Sequence, residues 1–161
     1  MLKRETRILG LSSPRRARFK PIIGVIFRGN LWLDAVVTYL QPKSKKGWLQ
    51  GLADALKETK QYSQIQAAIF SSDDVLDHKY QDYKRLSELV NFPVFAITKK
   101  CSVRMPRGNF TKIQRDRGRI KLWINEYSPE RASALYNLGC SEGQSTPEAV
   151  ISAELVASTL K

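Results

Sequence analysis

The tightest grouping of chemistry-bearing residues in this chain is Asp73, Asp74, Asp77 and His78, directly after the hydroxyl pair Ser71-Ser72. Three carboxylates and an imidazole so close together can hold a divalent cation such as Mg²⁺ or Mn²⁺, the oxygen-liganded ions of phosphodiester chemistry. Carboxylates just ahead of a helix are also favoured by capping and by the helix dipole, and that is the commoner reason to find them there. Other routes to catalysis are poorly supplied. His78 is the sole histidine and no Gly-x-Ser-x-Gly turn occurs, so a covalent serine mechanism lacks its base. Gly47 and Gly51 have neither a preceding strand nor the Gly-Lys-Ser/Thr ending of a phosphate loop. Cys101 and Cys140 stand far apart without Cys-x-x-Cys spacing, which argues for reduced thiols rather than a zinc site.

The strongest chemical signal is positive charge. The chain of 161 residues has a formal charge of +12, and that charge is segmental. Residues 1–28 hold eight Lys or Arg against one acid, and residues 99–121 hold nine against one. Concentrated cations favour a polyanion, because each phosphate contact releases condensed counterions. The candidate contacts to nucleic acid, DNA or RNA, are Arg15, Arg16, Arg18, Lys20, Arg28, Lys43, Lys45 and Lys46, then Lys99, Lys100, Arg104, Arg107, Lys112, Arg115, Arg117 and Arg119. Singly, each is an ordinary solvated charge. Phe19, Phe110 and Trp123 lie in or beside these segments and could stack on unpaired bases, although Trp123 in KLWIN reads better as core.

The elements that must position these residues follow from hydrophobic period. Arg7–Leu11 reads as a short strand, followed by the basic break SSPRRARFK. Ile22–Arg28 and Leu31–Leu40 read as a hairpin turning at Gly29-Asn30, residue types that tolerate positive φ. Trp48, Leu49, Leu52, Ala55 and Leu56 recur at helical spacing, IQAAIF at Ile65–Phe70 suits a buried strand, and Tyr80–Val90 is again helical until Asn91 and Pro93 stop it. VFAIT at Val94–Thr98 is the next strand, and Lys99–Arg119 reads as a long basic loop. Ile120–Tyr127 is a further strand, with Ser128 capping and Pro129 opening the helix that follows. A last helix runs from about Thr146-Pro147-Glu148 towards Leu160.

A meander followed by alternating helices and strands predicts an α/β domain with a mixed sheet. With 42% hydrophobic residues, 1–161 fits one domain. No run approaches the roughly 18 apolar residues of a membrane span, and the amino terminus lacks an apolar signal core, so no membrane partner and a cytoplasmic location are expected.

Three segments carry a family resemblance: FRGNLWLDAVV at Phe27–Val37, DYKRLSELVNFPVFAITKK at Asp82–Lys100 and TPEAVISAELVAS at Thr146–Ser158. In order and spacing over nearly the whole chain they resemble the archaeal relatives of endonuclease V known as endonuclease dU. The resemblance implies a ribonuclease H-like mixed sheet with flanking helices, in which acids at the ends of central strands hold divalent metal ions.

At the family's acidic positions this chain departs. The family's Gly-Ile-Asp-Asp becomes Gly10-Leu11-Ser12-Ser13, its Leu-Asp-Gly becomes Phe70-Ser71-Ser72, and its acidic Asp-Gly-x-Asp falls in the lysines of Pro42–Lys46. The family histidine of the last helix falls at Glu154. A serine hydroxyl is a neutral, weak ligand, so the resemblance implies a degenerate site at Ser12, Ser13, Ser71, Ser72 and Glu154, with no catalytic residue, metal or cofactor.

The leading expectation is therefore a non-catalytic nucleic-acid-binding protein. One alternative is a metal-dependent endonuclease with a displaced site at Asp73, Asp74 and Asp77, to which Asp34 and Glu154 could add. Another is a structural subunit with a protein partner, or a homo-oligomer, docking through apolar edge strands that include Trp32, a residue type more often found in cores.

Overall fold

The computed structural model describes residues 5–14, 21–42, 47–71, 80–98, 109–115 and 118–160. Strand β1 (Arg7–Ser12) is the third strand of a seven-stranded sheet of order β3-β2-β1-β4-β5-β7-β6. It pairs antiparallel with β2 (Pro21–Arg28), which pairs antiparallel with β3 (Trp32–Leu40) across a tight turn where Gly29 takes φ +58°. On the other side β1 pairs parallel with β4 (Ile65–Phe70), which pairs parallel with β5 (Val94–Thr98). The sheet ends in β7 (Gly118–Asn125) and β6 (Asn109–Arg115), both joined antiparallel. The order is that of a mixed α/β sheet, as the sequence predicts.

Each central strand is apolar on both faces because helices cover both. Leu9, Leu11, Ile22, Ile26, Ala68 and Phe70 meet α1 (Trp48–Lys57) and α2 (Tyr80–Val90). Ile8, Ala67 and Ile69 turn the other way, towards α3 (Pro129–Leu138) and α4 (Glu148–Thr159). A parallel pair buried on both faces is the expected use of such uninterrupted apolar runs. An aromatic chain ties the first layer to the sheet: Phe70 and Tyr83 have ring centroids 4.7 Å apart, and Tyr83 and Trp123 6.0 Å. Trp123 is accordingly buried core.

Local signals set the ends. Asn91 adopts φ +56° after α2, with Pro93 beyond it. Ser128 Oγ accepts a hydrogen bond from the Arg131 amide, with Pro129 in the first turn of α3. Gly10 is required by close approach: a Cβ there would overlap the Ala149 carbonyl group, so α4 lies directly against β1.

Two features differ from the sequence reading. The stretch read as one long loop contains strand β6, whose only fully buried side chain among those described is Ile113. An edge strand needs so little apolar periodicity that basic residues hide it. Trp32, expected in a core, is 64% exposed on β3.

Candidate functional site at the sheet centre and its basic ribbon

Chain direction changes sides between β1 and β4, since β1 leads to β2 on one flank and β4 to β5 on the other. The crevice beyond the carboxyl ends of such a strand pair is where open α/β sheets bind ligands. The residues at those ends are Ser12, Ser13 and Ser71. Strand alternation gives Ile8, Gly10 and Ser12 one face, and Ala67, Ile69 and Ser71 the same face, the one covered by α4.

Ser71 Oγ donates to Ser12 Oγ at 3.2 Å, and the Ser71 amide donates to the Leu11 carbonyl at 2.9 Å. All three serines are at most 3% exposed. Ser13 Oγ is buried without a hydrogen-bond partner among the described residues. A divalent cation does not fit this donor set. The hydroxyls are neutral, Ser12 and Ser71 are bonded to one another, and no cluster of His, Cys, Asp or Glu suited to a metal occurs among the described residues. Ser72, Asp73, Asp74, Asp77 and His78 lie outside the described residues.

Glu154 is half-buried on α4. Its charge reaches Tyr136, whose phenol is pushed well above its usual range by burial first, then by Cys140, with a smaller contribution from Glu154. That phenol donates to the Ser145 carbonyl at 3.0 Å. Cys140 is buried, its Sγ donates to the Tyr136 carbonyl, and burial pushes its thiol up to about 11.

Asp34 belongs to the opposite end of the sheet. It occupies a bulge in β3 and binds Arg7 Nε at 2.7 Å and an Arg28 terminal nitrogen at 3.0 Å. Arg7 begins β1 and Ser12 ends it, so the ion pair lies roughly 16 Å from the serines. Arg28 is thus engaged by Asp34.

Of the other basic candidates, Lys112, Arg115 and Arg119 are described. Arg115 is tied to α3 and the loop after it, donating to Asn137 Oδ1 at 3.1 Å and to the Ser141 carbonyl at 3.2 Å. Lys112 and Arg119 are exposed on the β6–β7 ribbon. Lys112 faces Lys121 directly across the pair, and Gln114 faces Arg119.

Like charges directly opposed destabilise a ribbon, and part of this is offset by Lys121 Nζ sitting 4.4 Å from the Phe110 ring centroid. Lys121 was not among the sequence candidates. It is found only by pairing the hairpin, which sets it against Lys112. Phe110 is partly buried against the core with an ammonium over its ring, a poor platform for a base. Arg15, Arg16, Arg18, Lys20, Lys43, Lys45, Lys46, Lys99, Lys100, Arg104, Arg107, Arg117 and Phe19 lie outside the described residues.

A cleft of about 280 Å³ opens on the other helical layer, between the first turn of α1 and Asp82, Arg85 and Leu89 of α2. Gly47 there takes φ +80°, and among the described residues no side chain caps the helix.

No family model matches the chain, and no curated protein matches its sequence. Solved structures do match. A protein of unknown function from Archaeoglobus fulgidus superposes with a TM-score of 0.73 at 16% identity, covering 95% of this chain and 96% of the other. Endonuclease V from Bacillus subtilis gives 0.67 at 11% identity, covering 96% and 80%. Marinitoga piezophila Argonaute in complex with a 5′ OH guide RNA gives 0.58 at 10% identity, covering 96% of this chain but 30% of that protein. The fold is endonuclease V-like, a ribonuclease H-like mixed sheet with helices on both faces.

Proposed function

We propose that this chain binds nucleic acid through its basic surfaces, on an endonuclease V-like fold whose central site no longer performs metal-dependent cleavage. The observation that carries the reading is the buried Ser12–Ser71 hydrogen bond at the strand ends. A neutral, hydrogen-bonded pair stands where the fold converges its central strands, while the chain as a whole carries +12. Loss of carboxylates there also removes repulsion against phosphate. Endonuclease V and the RNA-bound Argonaute, by their names, act on or hold nucleic acid, which favours the same class of partner here.

The ribbon face formed by Lys112, Arg119 and Lys121 supplies point charges for phosphate rather than hydrogen bonds aimed at base edges. Binding is therefore expected to be strongly salt-dependent and weakly sequence-dependent.

Labelled single- and double-stranded oligonucleotides, with and without deoxyuridine, incubated with Mg²⁺ or Mn²⁺ and divided between native and denaturing gels, test both halves. Salt-sensitive retardation without cleavage is expected. Metal-dependent cleavage that disappears in Asp74→Ala would overturn the non-catalytic half. Absence of retardation at low salt would overturn the binding half.

A further inference from the structure

We infer that Trp32 is a stacking platform for an unpaired base of single-stranded nucleic acid, with Arg28 and Arg7 beside it to take the phosphate of the same nucleotide. The inference rests on the nucleic-acid reading above and gives it a second site, separate from the β6–β7 ribbon. Among the described side chains Trp32 carries the one exposed aromatic ring, at 64%, whereas Trp48 and Trp123 are 6% and 3% exposed. Strand register places that ring. Arg7 of β1 pairs with Arg28 of β2, and Arg28 pairs with Trp32 of β3. The three therefore form a row across neighbouring strands, about 5 Å from one to the next. A bulge makes the row. Simple alternation from Ala35 would turn Trp32 to the face covered by α4, but the extra residue Asp34 leaves Ala35 opposite Ile26 and Trp32 opposite Arg28. Both then share the face that holds Leu9 and Leu11. The turn beside the ring is pinned: the Gly29 amide donates to the Thr6 carbonyl at 2.8 Å, and Asn30 Nδ2 to the Cys140 carbonyl at 3.1 Å. A ring fixed before binding loses little freedom when a base stacks on it.

Charge selects the ligand. Asp34 accepts from Arg28 at 3.0 Å and lies 2.7 Å from Arg7 Nε, which orients both guanidinium groups. Each guanidinium has about five donors and one carboxylate accepts about four hydrogen bonds, so donors remain for a phosphate. The Arg28 side chain is 35% exposed and can present them. Along the surrounding chain, residues 1–47 hold eleven Lys or Arg against two acids, Glu5 and Asp34, and these cations include those of 15–20 ahead of β2 and of 43–46 after β3. Every flank of the row thus favours a polyanion. Leu31 and Leu33, 52% and 54% exposed, extend the apolar surface on either side of Trp32 in the sequence, which suits the face of a base rather than a phosphate alone. A duplex keeps its base faces stacked inside the helix, so the ring selects unpaired strands. Every base has such a face, so the selection is for strandedness and not for sequence. The ribbon offers no equivalent, since Lys121 already lies over the Phe110 ring.

Tryptophan emission of the full chain, titrated at about 50 mM salt with an oligo-dT strand of about 15 nucleotides or a blunt duplex of the same length, reads the contact directly. The other two tryptophans are buried, so a change in emission reports Trp32. The single strand is expected to quench about a third of the emission or more, and the duplex to be retarded on native gels with little quenching. Trp32→Ala should weaken single-strand binding about tenfold or more while changing duplex binding less than about twofold, and Trp32→Phe should restore most of the loss. Retardation of the single strand without quenching would overturn the inference and leave the nucleic-acid reading standing. So would equal quenching by the duplex, undiminished single-strand binding by Trp32→Ala, or Trp32→Phe binding as weakly as Trp32→Ala. Retardation of neither oligonucleotide would overturn both.

Discussion

The two edges of the sheet are built to opposite rules. At β6, Lys112 is exposed and faces Lys121, Arg119 is exposed beside them, and Arg115 is fastened to the loop after α3. At β3, the exposed residues are Trp32, Leu33, Val36, Thr38 and Leu40, and the single carboxylate is enclosed by two guanidinium groups. Lysines on an edge strand block pairing with other chains and attract phosphate; an apolar edge does the reverse. The difference teaches that one sheet can divide its contacts by chemistry, with the central serines belonging to neither edge.

Both edges depend on one rigid sheet, so the largest effect should come from a change that touches neither. Gly10→Val forces α4 off β1 and is expected to lower stability by about 3 kcal/mol or more in urea titration, with oligonucleotide retardation failing alongside. If retardation survived intact, the basic edge would be independent of the sheet centre. Next in size, Asp34→Ala leaves Arg7 and Arg28 beside each other unpaired and should cost about 2 kcal/mol by the same titration. It also makes the apolar edge more cationic, while oligonucleotide binding through the β6–β7 ribbon should hold.

Replacing Lys112, Arg119 and Lys121 together by alanine should leave stability nearly unchanged. The slope of log K against log salt should become shallower by about 2.7, if each lysine or arginine neutralises one phosphate of duplex DNA. An unchanged slope would transfer the binding role away from the ribbon.

The smallest effect is the control that should treat the edges alike. The Cys140 thiol has a folded pKa near 11 against an ordinary 9.0, so above pH 9 the unfolded chain gives up a proton that the folded chain keeps. Its contribution to stability is therefore complete below about pH 9 and lost as pH rises towards 11. Tyr136 adds to the same alkaline loss, its folded pKa being raised too. Cys140→Ala should flatten part of the fall in urea midpoint between pH 8.5 and 11 without altering either edge.

Much of the fold was legible because its inner elements are strongly apolar. IQAAIF and VFAIT read as uninterrupted apolar runs and are buried in all but Gln66, and Trp48, Leu52 and Leu56 are buried at their helical spacing. β6 was not legible, since an edge strand with Ile113 as its buried anchor has too few apolar residues for a period to emerge from the surrounding lysines and arginines. The meeting of Ser12 and Ser71 had no signature in spacing, because the pairing of β1 with β4 crosses a helix. Only the resemblance to a family with acids at those positions pointed there. The exposure of Trp32 was hidden for the converse reason: an apolar strand reads as buried until its place at the edge of the sheet is known.

The order in which the sheet is made has a consequence for synthesis. β1, β2 and β3 are consecutive and pair with their chain neighbours, so the meander can form as soon as residue 40 has emerged. The helix that covers one face of β1 and β2 begins only at Glu148. At about 5–20 residues per second, the ribosome takes roughly 5 to 20 seconds to deliver it. Throughout that interval the apolar edge and the uncovered face of β2 stand open together on the nascent chain, and the eight Lys or Arg against one acid in residues 1–28, already made by then, keep neighbouring nascent meanders apart.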